Sequence, residues 1–361
     1  MRYSSHTLQS PCTFRAIGIM SGTSLDGLDI CLSEYALAEG KWSFKIISAE
    51  TIKYNAEIKE KLGNAPKLSG HDLMALDVSY GKWIGEQIKK FVDIKNLNAD
   101  IIGSHGHTVF HEPSNGFSTQ IGNGAQIAAA AEIPCVCNFR SGDVARGGQG
   151  APLVPVGDEF LFSNFDICLN IGGIANLSYK NDGNRIAYDI CPANMLLNYL
   201  ANASGLEFDR NGALGRLGKV DKTLLNSMNR LSYYSKQGAK SLGREWFETE
   251  FLPIVQAANL PTADILRTSY EHISSQIAEN FSVKAKGEVL ITGGGAKNSF
   301  LVEQIKEKCT NRIIIPEEEI IDFKEALIFG LLAILYQLNL PSSLSSVTGA
   351  NADSIGGCMY K

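Results

Sequence analysis

Glycines, hydroxyl residues and carboxylates are concentrated in one short segment near the start of the chain, GTSLDGLD, which begins at Gly22 and ends at Asp29. Glycine N–H groups and side-chain hydroxyls are donors that a phosphate chain can use. Asp26 and Asp29 could hold Mg²⁺, directly or through water. No lysine follows the glycines, so the segment is not a P-loop. A tight hairpin with a solvated Asp-Gly turn stays open as the alternative.

Two further glycine-rich segments occur in the chain. NIGGIANLS contains Gly172 and Gly173, and ITGGGAKN begins with a predicted strand and leads into a predicted helix. A helix N-terminus favours a phosphate group because its first N–H groups have no partner within the helix. Each glycine run is a weak signal alone, but the three together indicate a nucleotide site.

Candidate acid–base residues lie in two other segments. YDICPANM ends a predicted strand at Asp189, where a carboxylate could accept a proton from an attacking oxygen; a turn or helix-capping aspartate is the alternative. GSHGHTVFHEP contains His105, His107 and His111. Their spacing matches no common zinc ligand set and no cysteine is near, so we expect hydrogen-bonding histidines rather than a Zn²⁺ site.

Arg140 and Glu325 are candidates for substrate binding. Arg140 lies in FRSGDVARGGQG, and its guanidinium could bind a substrate carboxylate in a bidentate manner; an internal ion pair of Asp143 with Arg140 or Arg146 is the alternative. Glu325 stands at the start of an apolar helical segment. There it could bind a polar substrate, or it could simply favour the helix N-terminus.

An α/β framework is predicted to position these residues. FRAIGIM, LDICLSEYAL and WSFKIISAET are typical of strands, and FDICLNIGG, IANLSYK and RIAYDI repeat the pattern later in the chain. Helical patterns and buried strands follow each set, which indicates a duplicated α/β block. We predict a first lobe over 1–136, completed by 326–361, and a second lobe over 137–325. The apolar segment from Ala326 is predicted as a buried helix, too short for a membrane span, and the tail after Leu340 as a loop.

The composition favours a protein that binds small molecules. The 361 residues carry a net charge of -5 with an isoelectric point of about 5.8, and no basic run is interleaved with aromatics. We therefore expect no nucleic-acid or membrane partner. The eight cysteines are scattered, and the N-terminus lacks the apolar core of a signal peptide. Both features favour reduced thiols and a cytoplasmic protein.

Nine motifs together resemble one family. In order along the chain they are GIMSGTSLDGLD, GSHGHTVFHEP, STQIGNGAQIA, NFRSGDVARGGQGAPLVP, NIGGIANLS, KSLGREWF, ITGGGAKNSFL, FKEALIFGLLA and SVTGA. The set is similar to that of the anhydro-N-acetylmuramic acid kinase family and covers nearly the whole chain. The resemblance implies the duplicated actin-like ATPase (ribonuclease H-like) fold, with two lobes, a cleft between them, and assembly as a homodimer.

The resemblance also implies a reaction on an amino sugar that uses ATP and Mg²⁺. Water attacks the anomeric carbon of 1,6-anhydro-N-acetylmuramic acid, and the departing oxygen receives the γ-phosphoryl group, giving N-acetylmuramic acid 6-phosphate for peptidoglycan recycling. Asp189 would activate the water, and His105, Arg140, Asn194 and Glu325 would bind the sugar. The residues expected to bind ATP, with Asp26 also holding Mg²⁺ through water, are Gly22, Thr23, Ser24, Leu25, Asp26, Gly27, Leu28, Asp29, Gly172, Gly173, Gly293, Gly294, Gly295 and Asn298.

The chain departs from the family pattern at three places. DICPAN has Ile190, Cys191 and Ala193 where the family has a hydroxyl residue and two glycines. His107 replaces a glutamine, and GNGAQIA lacks an Asp-Pro pair after Gly122. These changes bear on substrate preference and rate rather than on fold. A related kinase for another sugar and a nucleotide-binding regulatory protein without turnover stay open as alternatives.

Overall fold

The computed structural model describes residues 12–22, 24–236, 238 and 240–361. The chain divides into two compact units. Unit 1 comprises Met1–Leu161 and Phe323–Lys361, and unit 2 comprises Phe162–Asp322. Unit 1 is therefore assembled from two separate stretches of the sequence, whereas unit 2 is continuous.

Twelve strands form within the described residues, and those predicted from the two repeated patterns are confirmed. The strands are β1 (Cys12–Ser21), β2 (Gly27–Ala38), β3 (Lys41–Lys53), β4 (Ile101–Glu112), β5 (Phe117–Ile121), β6 (Cys135–Cys137), β7 (Ile167–Ile171), β8 (Ile174–Asn181), β9 (Asn184–Pro192), β10 (Glu288–Thr292), β11 (Arg312–Ile314) and β12 (Cys358–Tyr360).

The sheet of unit 1 is mixed. β1, β2 and β3 pair antiparallel in sequence order. On the other side of β1 the sheet continues in parallel through β4 and then β6. β12 pairs antiparallel with β6, and β5 pairs antiparallel with β4. Apolar residues on β1, β2 and β4, among them Ile17, Ile30 and Ile102, are fully buried in the core of this unit.

Unit 2 repeats the same strand order. β7, β8 and β9 pair antiparallel in sequence order, and β10 and then β11 continue in parallel from β7. The order β9-β8-β7-β10-β11 thus corresponds strand for strand to β3-β2-β1-β4-β6. A glycine-containing connection joins the first two strands of each set. The predicted duplication of one supersecondary block is confirmed.

Helices cover or connect these strands. The helices are α1 (Ala56–Asn64), α2 (Gly70–Lys95), α3 (Gly124–Ala131), α4 (Ser141–Val144), α5 (Val154–Phe160), α6 (Asn194–Asn202), α7 (Lys222–Asn229), α8 (Arg244–Trp246), α9 (Leu252–Gln256), α10 (Thr262–Asn280), α11 (Ser299–Lys308), α12 (Glu318–Gln337) and α13 (Ser345–Thr348). The predicted buried helix corresponds to α12, whose apolar side chains are enclosed. Across the described ranges, no helix is long and apolar enough to cross a membrane.

The segment 137–161 lies in unit 1 rather than in unit 2. Residues near the C-terminus hold it there. Asp143 is fully buried and accepts hydrogen bonds of 2.7 Å from the hydroxyls of Ser343 and Thr348. The segment 341–357, predicted as a loop, contains the four-residue helix α13 and otherwise no helix or strand, and β12 follows it. Elements this short have no periodicity of their own, and β12 forms only because β6 offers its edge.

Two glycines let the backbone of α12 approach the sheet of unit 1. A Cβ atom on Gly18 of β1 would lie 1.6 Å from the carbonyl oxygen of Ala326, and one on Gly103 of β4 would lie 2.0 Å from that of Phe329. Neighbouring backbones therefore pack without intervening side chains. Any larger residue at either position would have to push the helix away from the strands.

We expect Gly18→Ala to lower the free energy of unfolding by about 3 kcal/mol, because overpacking here displaces backbone atoms rather than a flexible side chain. Gly70→Ala is the matched control, since a Cβ at the exposed start of α2 meets nothing within 4 Å. That substitution should leave stability unchanged or raise it by about 0.5 kcal/mol. Urea unfolding monitored by circular dichroism checks both variants, and equal stabilities would contradict the close packing of α12.

Candidate active site

The first glycine-rich segment connects β1 to β2 in unit 1. It is a tight turn in which the N–H of Leu25 donates to the carbonyl oxygen of Gly22 at 3.3 Å, and Leu25 has a positive φ of 59°. Ser24 is exposed. Thr23, which the sequence placed in this site, lies outside the described residues.

The side chains of this hairpin differ in what they can offer a ligand. Asp26 is exposed at the turn. Asp29, on β2, accepts a 2.6 Å hydrogen bond from the Thr51 hydroxyl. Leu28 is fully buried, and Leu25 packs against the core of unit 1. The leucines can therefore contribute only backbone groups, while Asp26 and Asp29 supply the carboxylate oxygens that suit Mg²⁺.

His105 and Arg140 are in direct contact. The Nε and Nη2 groups of Arg140 lie 3.2 and 2.8 Å from Nε2 of His105, and Nη1 donates to the carbonyl oxygen of Gly150 at 2.7 Å. The His105 ring also packs on Phe329, with ring centroids 4.7 Å apart. Burial, and secondarily the Arg140 charge, lowers the pKa of His105 well below its usual value. His105 is thus a neutral acceptor for the guanidinium.

Glu325 on α12 belongs to the same charged cluster. Burial raises the pKa of its carboxyl group, the charge of Arg140 counteracts that rise, and Asp29 adds to it. Burial likewise lowers the pKa of Arg140 to about 10, and Glu325 opposes that change. Three of the four predicted sugar-binding residues, His105, Arg140 and Glu325, therefore lie together in unit 1.

Two alternatives raised by the sequence are wrong. Asp143 does not pair with Arg140 in the described structure, because its oxygens accept from Ser343, Thr348 and the N–H of Gly150. Glu325 was expected to stand at the start of its helix, but α12 begins at Glu318. Glu325 is consequently well inside the helix rather than in its first turn, so stabilising the helix N-terminus is not its role.

The other two histidines of GSHGHTVFHEP have separate partners. Nδ1 of His107 lies 3.1 Å from the Ser21 hydroxyl, and Nδ1 of His111 lies 3.0 Å from the Ser118 hydroxyl. Within the residues described, no group of three or more His, Cys, Asp or Glu side chains is arranged to hold a metal. The three histidines make individual hydrogen bonds, as the sequence predicted.

Asp189 lies near the end of β9 in unit 2 and is held by the segment that follows α7. Its N–H donates to the carbonyl oxygen of Lys240 at 3.0 Å, and its Oδ2 accepts from the N–H of Leu242 at 2.8 Å. The Tyr233 hydroxyl donates to its carbonyl oxygen at 2.7 Å. The side chain caps no helix, because α6 begins later and its N-cap residue is Ala193.

Burial dominates the electrostatics of Asp189. Desolvation raises the pKa of its carboxyl group to about 6, and the hydrogen bond from Leu242 only partly opposes that shift. In the described residues no arginine or lysine forms an ion pair with this carboxylate. A carboxylate with a pKa near neutrality and no ion pair is suited to accept a proton during a reaction and to return it afterwards.

The carbonyl groups of Gly172 and Gly173 accept hydrogen bonds at the start of α6. The carbonyl oxygen of Gly173 accepts from the N–H groups of Ala193 and Met195 at 2.8 and 3.1 Å, and that of Gly172 accepts from the N–H of Asn194 at 3.1 Å. These carbonyls satisfy the first N–H groups of α6. Binding of nucleotide by Gly172 and Gly173 stays a prediction.

The third glycine segment does not open directly into a helix. Gly294 begins a short 3₁₀ turn that ends at Lys297, and α11 begins only at Ser299. Gly294 is exposed, whereas Gly295 is buried with a Cβ position only 2.2 Å from Ile171 Cγ2. Gly293 is half-buried between them. Of the three, Gly294 is the one that a ligand can approach most closely.

A pocket of about 480 Å³ opens beside Gly294 in unit 2. Asn194 and Asn298 line it, so Asn194, predicted to bind sugar, lies with the predicted nucleotide residues. The Asn194 side-chain N–H donates to the carbonyl oxygen of Ile171 at 3.1 Å. Asn298 is the N-cap of α11 and also donates to the Tyr270 hydroxyl at 2.8 Å. The volume is within the range of small-molecule sites.

Sequence reasoning missed most of this pocket. The lining residues that carried no prediction are Leu197, Asn198, Phe208, Asp209, Arg210, Asn211, Tyr270 and Lys297. Of these residues only Lys297 lies in a quoted motif, ITGGGAKN, where the glycine run could have drawn attention to it. The others come from α6, α10 and the loop after α6, and only folding brings them together.

Two units with one repeated strand order and a glycine connection in each define the duplicated α/β fold of the actin-like ATPases and sugar kinases. The family model described as anhydro-N-acetylmuramic acid kinase matches residues 14–361. The chain belongs to this family. It is therefore a kinase, a phosphotransferase that uses ATP.

Two relatives with the family's name agree with the family match. The anhydro-N-acetylmuramic acid kinase of Vibrio vulnificus (strain YJ016) is 32% identical over 95% of this chain and 97% of its own. That of Sulfurovum sp. (strain NBC37-1) is 34% identical over 96% and 99%. The solved structure of (R)-2-hydroxyglutaryl-CoA dehydratase component A from Acidaminococcus fermentans covers 89% of this chain and 97% of that one, at 14% identity and a TM-score of 0.44.

We expect Asp189→Asn to be more stable than the unsubstituted protein at pH 8, by about 3 kcal/mol. The folded carboxyl group has a pKa of about 6, above its unfolded value, so its ionisation costs stability as the pH rises through 6. Asparagine cannot ionise, so the advantage should vanish below pH 4. Urea unfolding at both pH values checks this, with Asp182→Asn in the exposed β8–β9 turn as control. An advantage independent of pH would contradict the raised pKa.

Proposed function

We propose that this protein opens the 1,6-anhydro ring of anhydro-N-acetylmuramic acid and phosphorylates the sugar with ATP, in peptidoglycan recycling. The oxygen of water forms a bond to the anomeric carbon, the bond from that carbon to O6 breaks, and O6 receives the γ-phosphoryl group. The products are N-acetylmuramic acid 6-phosphate and ADP. The family match over residues 14–361 is the observation that carries this proposal.

Asp189 is the proposed base that takes the proton from the attacking water. Among the described residues Oδ1 of its carboxylate has no hydrogen-bond partner, while Oδ2 accepts a hydrogen bond from the N–H of Leu242. A fixed carboxylate can orient a water as well as deprotonate it. Its pKa of about 6 lets it be ionised at neutral pH and still bind the proton appreciably during the reaction.

Arg140, His105 and Glu325 are the proposed sugar-binding group of unit 1. Arg140 is anchored by His105 and Gly150, which leaves part of its guanidinium for an oxygen of the sugar. Glu325, whose pKa is raised by burial, can exchange hydrogen bonds with sugar hydroxyl or amide groups. We assign Asn194 to the proposed nucleotide site instead of the sugar site, because it lines the pocket with Gly294.

The glycine hairpins and the pocket of unit 2 are the proposed ATP-binding parts. The exposed turn at Asp26 offers backbone N–H groups to phosphates, and Gly294 offers close access beside the pocket. Mg²⁺ takes few protein carboxylates and keeps several waters, so Asp26 and Asp29 fit it, with Asp26 binding through water. When bound, Mg²⁺ neutralises charge on the transferred phosphoryl group.

The altered DICPAN segment supports retained turnover. The side chains of Ile190, Cys191 and Ala193 are buried in unit 2, with exposed fractions of 1%, 0% and 0%. The replacements therefore fill the interior of the unit while Asp189 keeps its place, which favours a working kinase over a regulatory protein without turnover.

We also propose that the enzyme works in the cytoplasm, as a homodimer, with no nucleic-acid or membrane partner. The scattered cysteines and the acidic composition support the first and last of these proposals. The homodimer rests on the family resemblance alone.

The decisive experiment measures ADP release from ATP and Mg²⁺ with and without 1,6-anhydro-N-acetylmuramic acid. We expect release only with the sugar, none when Mg²⁺ is omitted, and a product whose mass shows added phosphate and water. In ¹⁸O-labelled water the label should reach the anomeric oxygen. A folded protein that binds ATP but responds only to another sugar, or to none, would overturn the proposal.

Asp189→Asn should keep ATP affinity and lose turnover by about 10²–10⁴-fold, because it removes the proton acceptor without changing shape. In the unsubstituted enzyme kcat/KM should rise with pH and level off above 6 as the carboxyl group ionises. Asp182→Asn, in the exposed turn of the same hairpin, should retain full activity. Steady-state kinetics across pH 5–8 checks both variants. Near-normal turnover in Asp189→Asn would rule out the base assignment.

A further inference from the structure

A chain of buried hydrogen bonds lies directly behind the β1–β2 hairpin of unit 1. The Tyr80 and Tyr54 hydroxyls are 2.6 Å apart, the Tyr54 hydroxyl is 2.7 Å from Oγ of Ser21, and that Oγ is 3.1 Å from Nδ1 of His107. All four side chains are at least 95% buried. The donor and the acceptor of each of these hydrogen bonds can be assigned, because each hydroxyl has one proton to donate.

The donor directions follow one from the next. Tyr54 donates to Ser21, and among the described residues the buried Ser21 hydroxyl has no acceptor other than Nδ1 of His107, so its one proton goes to that nitrogen. Tyr54 has then used its own proton, so Tyr80 must donate to Tyr54. All bonds run from Tyr80 toward His107. Nδ1 of His107 is an acceptor, and the ring proton of this neutral histidine is therefore on Nε2.

His105, two residues earlier on β4, has the opposite tautomer. Its Nε2 accepts from Arg140, so its ring proton is on Nδ1 and donates to the carbonyl oxygen of Gly106 at 2.9 Å. Both nitrogens of His105 are thus engaged within the protein. In His107 only Nδ1 is engaged, and Nε2 has no hydrogen-bond partner among the described residues.

The position of His107 places this donor at the proposed phosphate hairpin. Ser21 is the last residue of β1, and Gly22 of the hairpin follows it directly. His107 is the parallel partner of Ser21 in the register between β1 and β4. Burial lowers the pKa of His107, which keeps the ring neutral and the direction of the chain fixed.

We propose that Nε2–H of His107 donates a hydrogen bond to an oxygen of the ligand bound at the β1–β2 hairpin, and that Tyr80, Tyr54 and Ser21 fix the tautomer that makes this possible. His107 is then a ligand-binding residue, and the three hydroxyl residues are positioning residues. The acceptor is a phosphoryl oxygen of ATP or an oxygen of the sugar. This assignment rests on the proposed function, which supplies the ligand.

The tautomers are directly measurable in the free protein by long-range ¹⁵N–¹H correlation spectroscopy of the histidine rings. We expect a proton on Nε2 of His107 and on Nδ1 of His105. Tyr54→Phe should leave His105 unchanged and convert His107 to a mixture. Tyr35→Phe is the matched control, because it removes another buried tyrosine hydroxyl of unit 1, one that donates to Leu327 outside the chain of bonds. A Nδ1–H tautomer for His107 would overturn the proposal.

Ligand affinity tests the second half of the proposal by calorimetry, with Mg²⁺-ATP and with 1,6-anhydro-N-acetylmuramic acid as separate titrants. His107→Leu removes the donor and should weaken one ligand about tenfold, which identifies the acceptor. His107→Gln keeps an N–H donor and should restore most of that affinity. Unchanged affinity for both ligands in His107→Leu, or no rescue by glutamine, would overturn the proposal. Failure of the unsubstituted protein to bind the sugar counts instead against the proposed function, because the tautomers and the ATP titration do not depend on it.

Discussion

The close approach of α12 to β1 and β4 is the constraint on which the site of unit 1 depends. The absence of side chains at Gly18 and Gly103 lets the helix and strand backbones come into contact. This contact fixes the distance and the orientation of α12 relative to the sheet. Glu325 is carried by that helix, and His105 by one of those strands. A carboxyl group and a histidine therefore keep a fixed relation to the β1–β2 hairpin without any flexible connection between them.

Burial shifts the pKa values of the acidic and the basic groups of these sites in opposite directions. Desolvation raises the pKa of Asp189 in unit 2 and of Glu325 in unit 1, and it lowers the pKa of Arg140 and of His105. Each group is thus moved toward its neutral form before any ligand arrives. Hydrogen bonds from backbone groups and neighbouring side chains hold these residues in place, so the energetic cost of desolvation is borne by the fold rather than by ligand binding.

Much of the framework was predictable because it depends on local patterns. Alternating apolar residues around glycine turns indicate the two three-stranded sets, and the motif order indicates the family. What depended on distant contacts could not be predicted: the pairing of β12, the carbonyls of Gly172 and Gly173 at the start of α6, and the place of Asn194 beside Gly294. The tautomer of His107 also needed the structure, since Tyr80, Tyr54 and Ser21 are far apart in the sequence.

The division of the chain into a continuous and a discontinuous unit has a consequence during synthesis. Unit 2 is complete once Asp322 has left the ribosome, and it can form its core while translation continues. Unit 1 must wait, because α12 and β12 come from the last residues of the chain. Until then the strands that bear His105 and the first hairpin lack their covering helix, so the apolar surface that α12 covers in the folded protein is exposed on the growing chain.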